Sequence, residues 1–271
     1  MELKRRVALN GIQLDEVDER IVITSVEPGD GQENITAVDA AAGYGQRITG
    51  CRRRTVDMVV RFSIHENGRS TAGQQARSEV LEAVNAWAAQ ATKGAYLTVN
   101  YKPERRLYVV LAQAPGEGTL WEWSREFSIT FRAYAVPYWE EETRRSARIG
   151  NDGISGSDTI LMEGSAVTAV DAELLNMSGM AVQSAAITIG QKTIRVSGLG
   201  MAANEALVID HTADALIRIR IRAANGSYRS VMDKRTTDSA DDFTAAPGST
   251  SVSYEAQRGC RLTLYWRCRF L

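Results

Sequence analysis

The sequence predicts an α+β domain built on an antiparallel sheet, followed by a smaller all-β sandwich. Three observations carry this. Two stretches, Thr55–His65 and Trp121–Ala133, alternate apolar and polar side chains at period two, as a strand with one buried and one wet face must. One stretch only, Ser70–Lys93, repeats its apolar residues at helical spacing. After the Gly-, Asn- and Ser-rich run between Arg144 and Asp158, the chain reads as short strands with turn residues between them. Runs of strands with a segregated helix indicate α+β, and strands at short regular spacing indicate a sandwich. The expected domains are residues 1–145 and 155–271, with the boundary inside Arg144–Asp158.

Each element has its own warrant. Asn10–Gly11, within Leu3–Leu14, is the dipeptide of a tight hairpin turn. Arg20–Val26 reads as a strand that is apolar on both parities. Pro28–Gly50 carries Gly29, Gly31, Gly43, Gly45 and Gly50 and few large apolar groups. A connection of about 20 residues is long for a compact domain and is usually functional or disordered, so a projecting arm is expected there. In Thr55–His65 the apolar face is Val56, Met58, Val60, Phe62 and Ile64. The helix takes its cap from Ser70 or Thr71 and its end from Gly94, with Val80, Val84, Trp87 and Ala91 as its stripe and Arg77, Glu79, Glu82, Gln90 and Lys93 outside it.

Tyr96–Tyr101 and Leu107–Ala112 follow as strands, and then the long Trp121–Ala133 strand, which stops where Pro137 removes a ladder donor. In the second half the strand candidates are Ala166–Val170, Ala185–Ile189, Lys192–Ser197, Ala206–Asp210, Leu216–Ala223 and Arg261–Leu271.

Composition narrows the function classes. A formal net charge of −1, with no basic run longer than Arg52, Arg53 and Arg54, argues against nucleic-acid binding by bulk electrostatics. No span reaches the ~18 apolar residues of a membrane helix, and the opening MELKRRVALNGIQL lacks the apolar run of a signal peptide. A soluble protein made in the cytoplasm is expected. Cys51, Cys260 and Cys268 are odd in number and scattered, so neither a disulfide framework nor a zinc site is expected.

Chemistry is sparse. His65 and His211 are the only histidines. Asp210 precedes His211, but adjacent strand residues point to opposite faces, so Asp210 is not placed to orient it. No nucleophile elbow, phosphate loop or metal helix is present. Glu140–Glu142 and Asp241–Asp242 lack the loop spacing of a calcium site. The reading is therefore no enzyme, no cofactor and no metal. Trp121, Trp123, Tyr138 and Trp139 read as core or protein interface, with a sugar-stacking platform as the alternative.

The order of segments resembles the distal tail (Dit) proteins of long-tailed bacteriophages. The match rests on RRRTVDMVVRFSI after a Gly-containing loop, on the helix, on KPERRLYVVLA, and on a strand closing in AYAVPYWEEE. Val136 stands where members often carry an acid. In the second half, LLNMSGMAVQSAAITIG, EALVID and DDFTAAPGSTSVSYEAQRGCRLTLYWRCRFL are similar to the family's terminal sandwich.

The resemblance implies a tail-tube-like antiparallel β-sandwich with one helix, followed by a galectin-like sandwich. It also implies a structural virion protein of the phage tail, a ring (usually a hexamer) joining the tail tube to the tail tip. Its partners would be further copies of itself, the tail tube and tape-measure proteins, and the tip and receptor-binding proteins. DNA would pass through the ring without sequence-specific contact. For the interface between subunits the candidates are Tyr44, Arg47, Ile48, Arg52, Arg53, Arg54, Tyr138 and Trp139, with Arg52–Arg54 meeting acids such as Glu140–Glu142 of a neighbour. The alternative is a carbohydrate-binding accessory module using the aromatic platform.

Overall fold

The computed structural model describes residues 6–28, 32–39, 46–66, 70–115, 126–213 and 215–271, with backbone alone for 32–39 and 46–54. The chain divides into two compact units, Met1–Trp139 and Glu140–Leu271.

In the first unit, β1 (Val7–Leu9) and β2 (Ile12–Gln13) form a hairpin, and β3 (Ile21–Pro28), β4 (Gln32–Asp39) and β5 (Gln46–Ile64) follow. The helix α1 (Thr71–Ala89) leads to β6 (Ala95–Val99), β7 (Arg105–Gln113) and β8 (Phe127–Ala133). The sheet order is β2-β1-β6-β7-β8-β5-β3, all antiparallel where paired. The expected Asn–Gly turn is present, with Asn10 at φ 49° and Gly11 at φ 87°, the positive values that a type I′ turn demands.

The helix starts where its cap predicts: the Ser70 hydroxyl accepts a hydrogen bond from the Gly73 N–H at 3.1 Å. The expected stripe of Val80, Val84, Trp87 and Ala91 is buried, and Trp87 packs edge-on against Phe131 of β8. Arg77, expected outside that stripe, is only 3 % exposed. The strand expected from Trp121 begins at Phe127 among the described residues, and residues 116–125 lie outside them.

The second unit contains β10 (Arg145–Ile149), β11 (Ser155–Met162), β12 (Thr168–Asn176), β13 (Val182–Ile189), β14 (Lys192–Met201) and β15 (Ala206–His211). It continues with β16 (Ile217–Arg222), β17 (Tyr228–Ser230), β18 (Thr244–Ala245), β19 (Gly248–Ala256), β20 (Cys260–Trp266) and β21 (Arg269–Phe270), while β9 (Trp139–Glu141) straddles the division. One sheet runs β10-β20-β12-β15-β16-β17, with β18 beside β12, and the other runs β11-β19-β13-β14. Val170, Ala172 and Leu174 from the first sheet and Ile187, Ile189 and Val252 from the second share one core, which makes this unit a β-sandwich.

The domain boundary differs from expectation. Arg145–Ile149 pairs with Leu262–Trp266 as a strand, and Ser155–Met162 pairs with Gly248–Glu255. Between them the Gly153 carbonyl accepts from the Cys260 N–H at 2.9 Å, and the Ile154 carbonyl from the Ala256 N–H at 2.7 Å. The small polar residues that look like a linker form a tight corner inside the sandwich. Cys260 and Cys268 are buried free thiols, with burial pushing Cys260 up to about 11.

Candidate functional site

The segment expected as an arm is a β-ribbon. β3 and β4 follow one another along β5 in a continuing antiparallel register, from Ile21 opposite Ile64 to Asp39 opposite Gln46. β8 joins β5 only from Val56 onward, and β3 only from Met58. Among the described residues, Gln46–Thr55 is therefore paired with β4 alone, a two-stranded stretch of roughly 30 Å at strand rise. Register shifts next to Gln32 and to Thr36 mark bulges, which raise local twist and discourage open-ended pairing along the edge.

This changes the reading of Pro28–Gly50. A low content of large apolar groups suggested a chain with no structure of its own. A ladder to β4 gives the described part of this segment a regular backbone partner that its low content of apolar groups does not announce.

Of the interface candidates, Arg47, Ile48, Arg52, Arg53 and Arg54 all lie on the ribbon strand, the first four opposite Val38, Ala37, Asn34 and Glu33 in that order. Tyr44 lies outside the described residues. Tyr138 is half-buried. Trp139 is 4 % exposed, with the Lys102 ammonium 5.0 Å from its ring centroid. It is a core residue stacked under a cation, so the surface role expected for it is corrected, and it is removed from the aromatic platform. Of that platform, Trp121 and Trp123 lie outside the described residues.

Glu140–Glu142 also turn out differently. The Glu140 carboxylate accepts from Arg269 at 2.9 Å, with both side chains under 15 % exposed. Glu141 accepts two bonds from Arg145 at 2.7 and 2.9 Å. These acids are satisfied within their own unit, so two of the three partners expected for a neighbour's Arg52–Arg54 are already taken.

His65 is exposed just past β5, its backbone N–H held by the Arg20 carbonyl at 2.8 Å. His211 has a carboxylate partner after all, Asp171 on the adjacent strand, with Nδ1 3.0 Å from Oδ1. Asp210 instead accepts from Arg218 and Arg220 at 2.6–3.2 Å. The cross-strand pair was invisible in sequence because the two residues are 40 positions apart. Arg144 takes the other Asp171 oxygen at 2.5 Å. The cavity around them is lined by no serine, threonine or cysteine among the described residues, so the pair has no nucleophile beside it.

No group of His, Cys, Asp and Glu able to hold a metal occurs among the described residues, and Asp241 and Asp242 are bound to Arg235 and Lys192. No described helix is long and apolar enough to cross a membrane.

No protein-family model matches the chain, and no curated protein is matched by its sequence. Solved structures are matched by fold. The SPP1 Dit (gp 19.1) protein, described as a paradigm of the hub adsorption apparatus in phages infecting Gram-positive bacteria, superposes with a TM-score of 0.69. That match is 14 % identical and covers 98 % of this chain and 99 % of that one. Chains of the phage P2 baseplate in its activated conformation match with TM-scores of 0.48 at 7 % and 8 % identity, covering 97 % and 98 % of this chain and 98 % and 99 % of theirs. The chain thus shares the fold of the SPP1 hub protein along its whole length.

Proposed function

We propose that the chain is a structural subunit of a phage tail, a distal-tail hub that closes into a homo-oligomeric ring of six copies between tail tube and tail tip. The observation that carries this reading is the whole-length fold likeness to the SPP1 hub protein, with the ribbon-bearing unit first and the sandwich second.

The ribbon supports it physically. An isolated two-stranded hairpin is at best marginally stable in water, and ordering its backbone costs roughly 1–2 kcal/mol per residue. The outer stretch has no third strand from its own described chain. A neighbouring subunit supplies what is missing, in a head-to-tail contact that closes at a fixed number of copies. Arg52–Arg54 then face a neighbour's acids other than Glu140 and Glu141. In the virion the ring holds the tail tube and tape-measure proteins on one side and the tip and receptor-binding proteins on the other, leaving a passage for DNA.

Deleting Ile35–Gly45 tests the ribbon's part. The expected product keeps both units folded and stays below ring mass, and amide exchange across Gln46–Thr55 in the intact protein slows on assembly. A deletion variant that forms rings of undiminished stability would overturn the role assigned to the ribbon.

A further inference from the structure

The β10-β20-β12-β15-β16-β17 sheet has one apolar and one charged face. Leu262, Leu264, Ala172, Leu174, Ile219 and Ile221 are buried in the sandwich core, and the positions that alternate with them face outward. β16 turns out Arg218, Arg220 and Arg222. On the far side of β12 and β15, Arg261 of β20 and Arg148 of β10 do the same. The strands between turn out Asp171, Glu173 and Asp210. Cross-strand register orders these groups into rows. Thr263, Glu173, Val208 and Arg220 lie opposite one another in sequence, and Arg261, Leu175, Ala206 and Arg222 form the next row, which holds no acid.

Guanidinium charge exceeds carboxylate charge on this face. Asp210 is shared by Arg218 and Arg220 at 2.6–3.2 Å. Asp152, in the turn after β10, is shared by Arg148 and Arg261 at 2.6–3.0 Å. Glu173 accepts from Arg222 at 2.5 and 3.1 Å, and Asp171 accepts from Arg144 at 2.5 Å and faces His211 Nδ1 at 3.0 Å. Each acid is therefore held, two of them by a pair of arginines, although the chain as a whole carries a formal charge of −1. A guanidinium has five N–H donors, and the side chains of Arg148 and Arg218 are 52 % and 45 % exposed.

Such a face attracts anions, and its layout selects among them. The arginines stand on the two flanks and the acids on the strands between. A polyanion with a charge at every repeat, such as a polyphosphate or a nucleic-acid strand, would set some of its charges over Asp171, Glu173 and Asp210, which is unfavourable. A peptide can place carboxylates over the flanks and uncharged groups over the middle, and planar guanidiniums match carboxylates through paired hydrogen bonds. From β20 to β16 is three strand spacings, roughly 14 Å. Four extended residues span about the same distance and return a side chain to the same side. We propose that this sheet face docks an extended acidic segment of a partner protein, with carboxylates four residues apart over Arg261 on one flank and the β16 arginines on the other.

The face belongs to the second unit and the ribbon to the first, so docking is read separately from ring formation. The probe is a labelled Ser- and Thr-based peptide with two glutamates four positions apart, titrated with the full chain at low ionic strength and followed by fluorescence anisotropy. The same peptide with its glutamates adjacent, a polyphosphate and a single-stranded oligothymidylate are the competitors. The spaced peptide is expected to bind most tightly. Arg261→Gln and Arg218→Gln each leave the acid concerned with its second arginine, and each should weaken the peptide about ten-fold, as for a lost charge-assisted hydrogen bond, with oligomer mass unchanged. Asp210→Asn, which releases two guanidiniums, should tighten it. No binding of the spaced peptide, tighter binding of the polyphosphate or the oligothymidylate, or binding indifferent to all three substitutions would overturn the proposal.

Discussion

The indole of Trp87 stands edge-on to the ring of Phe131, with centroids 5.9 Å apart and planes at 79°, and its Nε1–H donates to the Ile12 carbonyl at 2.9 Å. One side chain on α1 therefore touches β8 in the middle of the sheet and the short β2 at its edge. Trp87→Ala is expected to cost about 3–5 kcal/mol, as for other large buried aromatics. Trp87→Phe, which keeps most of the packing but strands the Ile12 carbonyl, is expected to cost about 1–3 kcal/mol. Denaturant unfolding of the two variants checks this ordering, and equal costs would contradict the role given to the Nε1–H.

Gly94 closes the turn after α1 with φ at +101°, and a Cβ there would stand 2.0 Å from the Tyr108 hydroxyl. Two effects oppose any side chain, backbone strain and a clash. Gly94→Ala should lower the melting temperature clearly, and adding Tyr108→Ala should recover only the part due to the clash. Full recovery in the double variant would mean that φ at this position carries no cost.

Asp152 links Arg261, at 2.8 and 3.0 Å, to Arg148, at 2.6 Å, across the sandwich corner. The Arg261 hydrogen bonds, opposed by partial desolvation and joined by Arg148, hold its carboxyl well below the usual carboxylate range. A depressed folded-state value means that the stabilising contribution is present above the unfolded value of about 4 and is lost as pH falls below it. Asp152→Asn should therefore melt lower than the parent at pH 7, with the gap narrowing progressively below about pH 4. A gap that widens on acidification would reverse the assignment.

Arg145 and Arg148 sit in a paired strand where the composition suggested a linker. Trypsin under native conditions should spare both, because cleavage requires unpairing β10 from β20. Early cleavage at either would restore the linker.

Much of this fold was legible because period and turn chemistry act locally. Val56 to Ile64 and Phe127 to Ala133 alternate in burial as their sequence does, and Ser70 and Gly94 mark the helix and its exit. What stayed hidden depends on distant partners. Ser155–Met162 carries Gly156, Ser157 and Asp158, and nothing in it signals a strand until Gly248–Glu255 lies alongside. The arm expected at Pro28–Gly50 gives no local sign of its strands, because their pairing depends on Gln32–Asp39 and Gln46–Thr55 lying alongside one another. The partners of His211 and Glu140 lie 40 and 129 residues away, beyond any local pattern.

The central claim is a closed ring, and the native mass of the purified full chain, taken together with negative-stain images of the same sample, tests it most directly. The account predicts a species of six times the 29.7 kDa chain mass, seen as a ring with a central opening. A protein that remains monomeric at high micromolar concentration, or that forms open filaments of no fixed number, would contradict it.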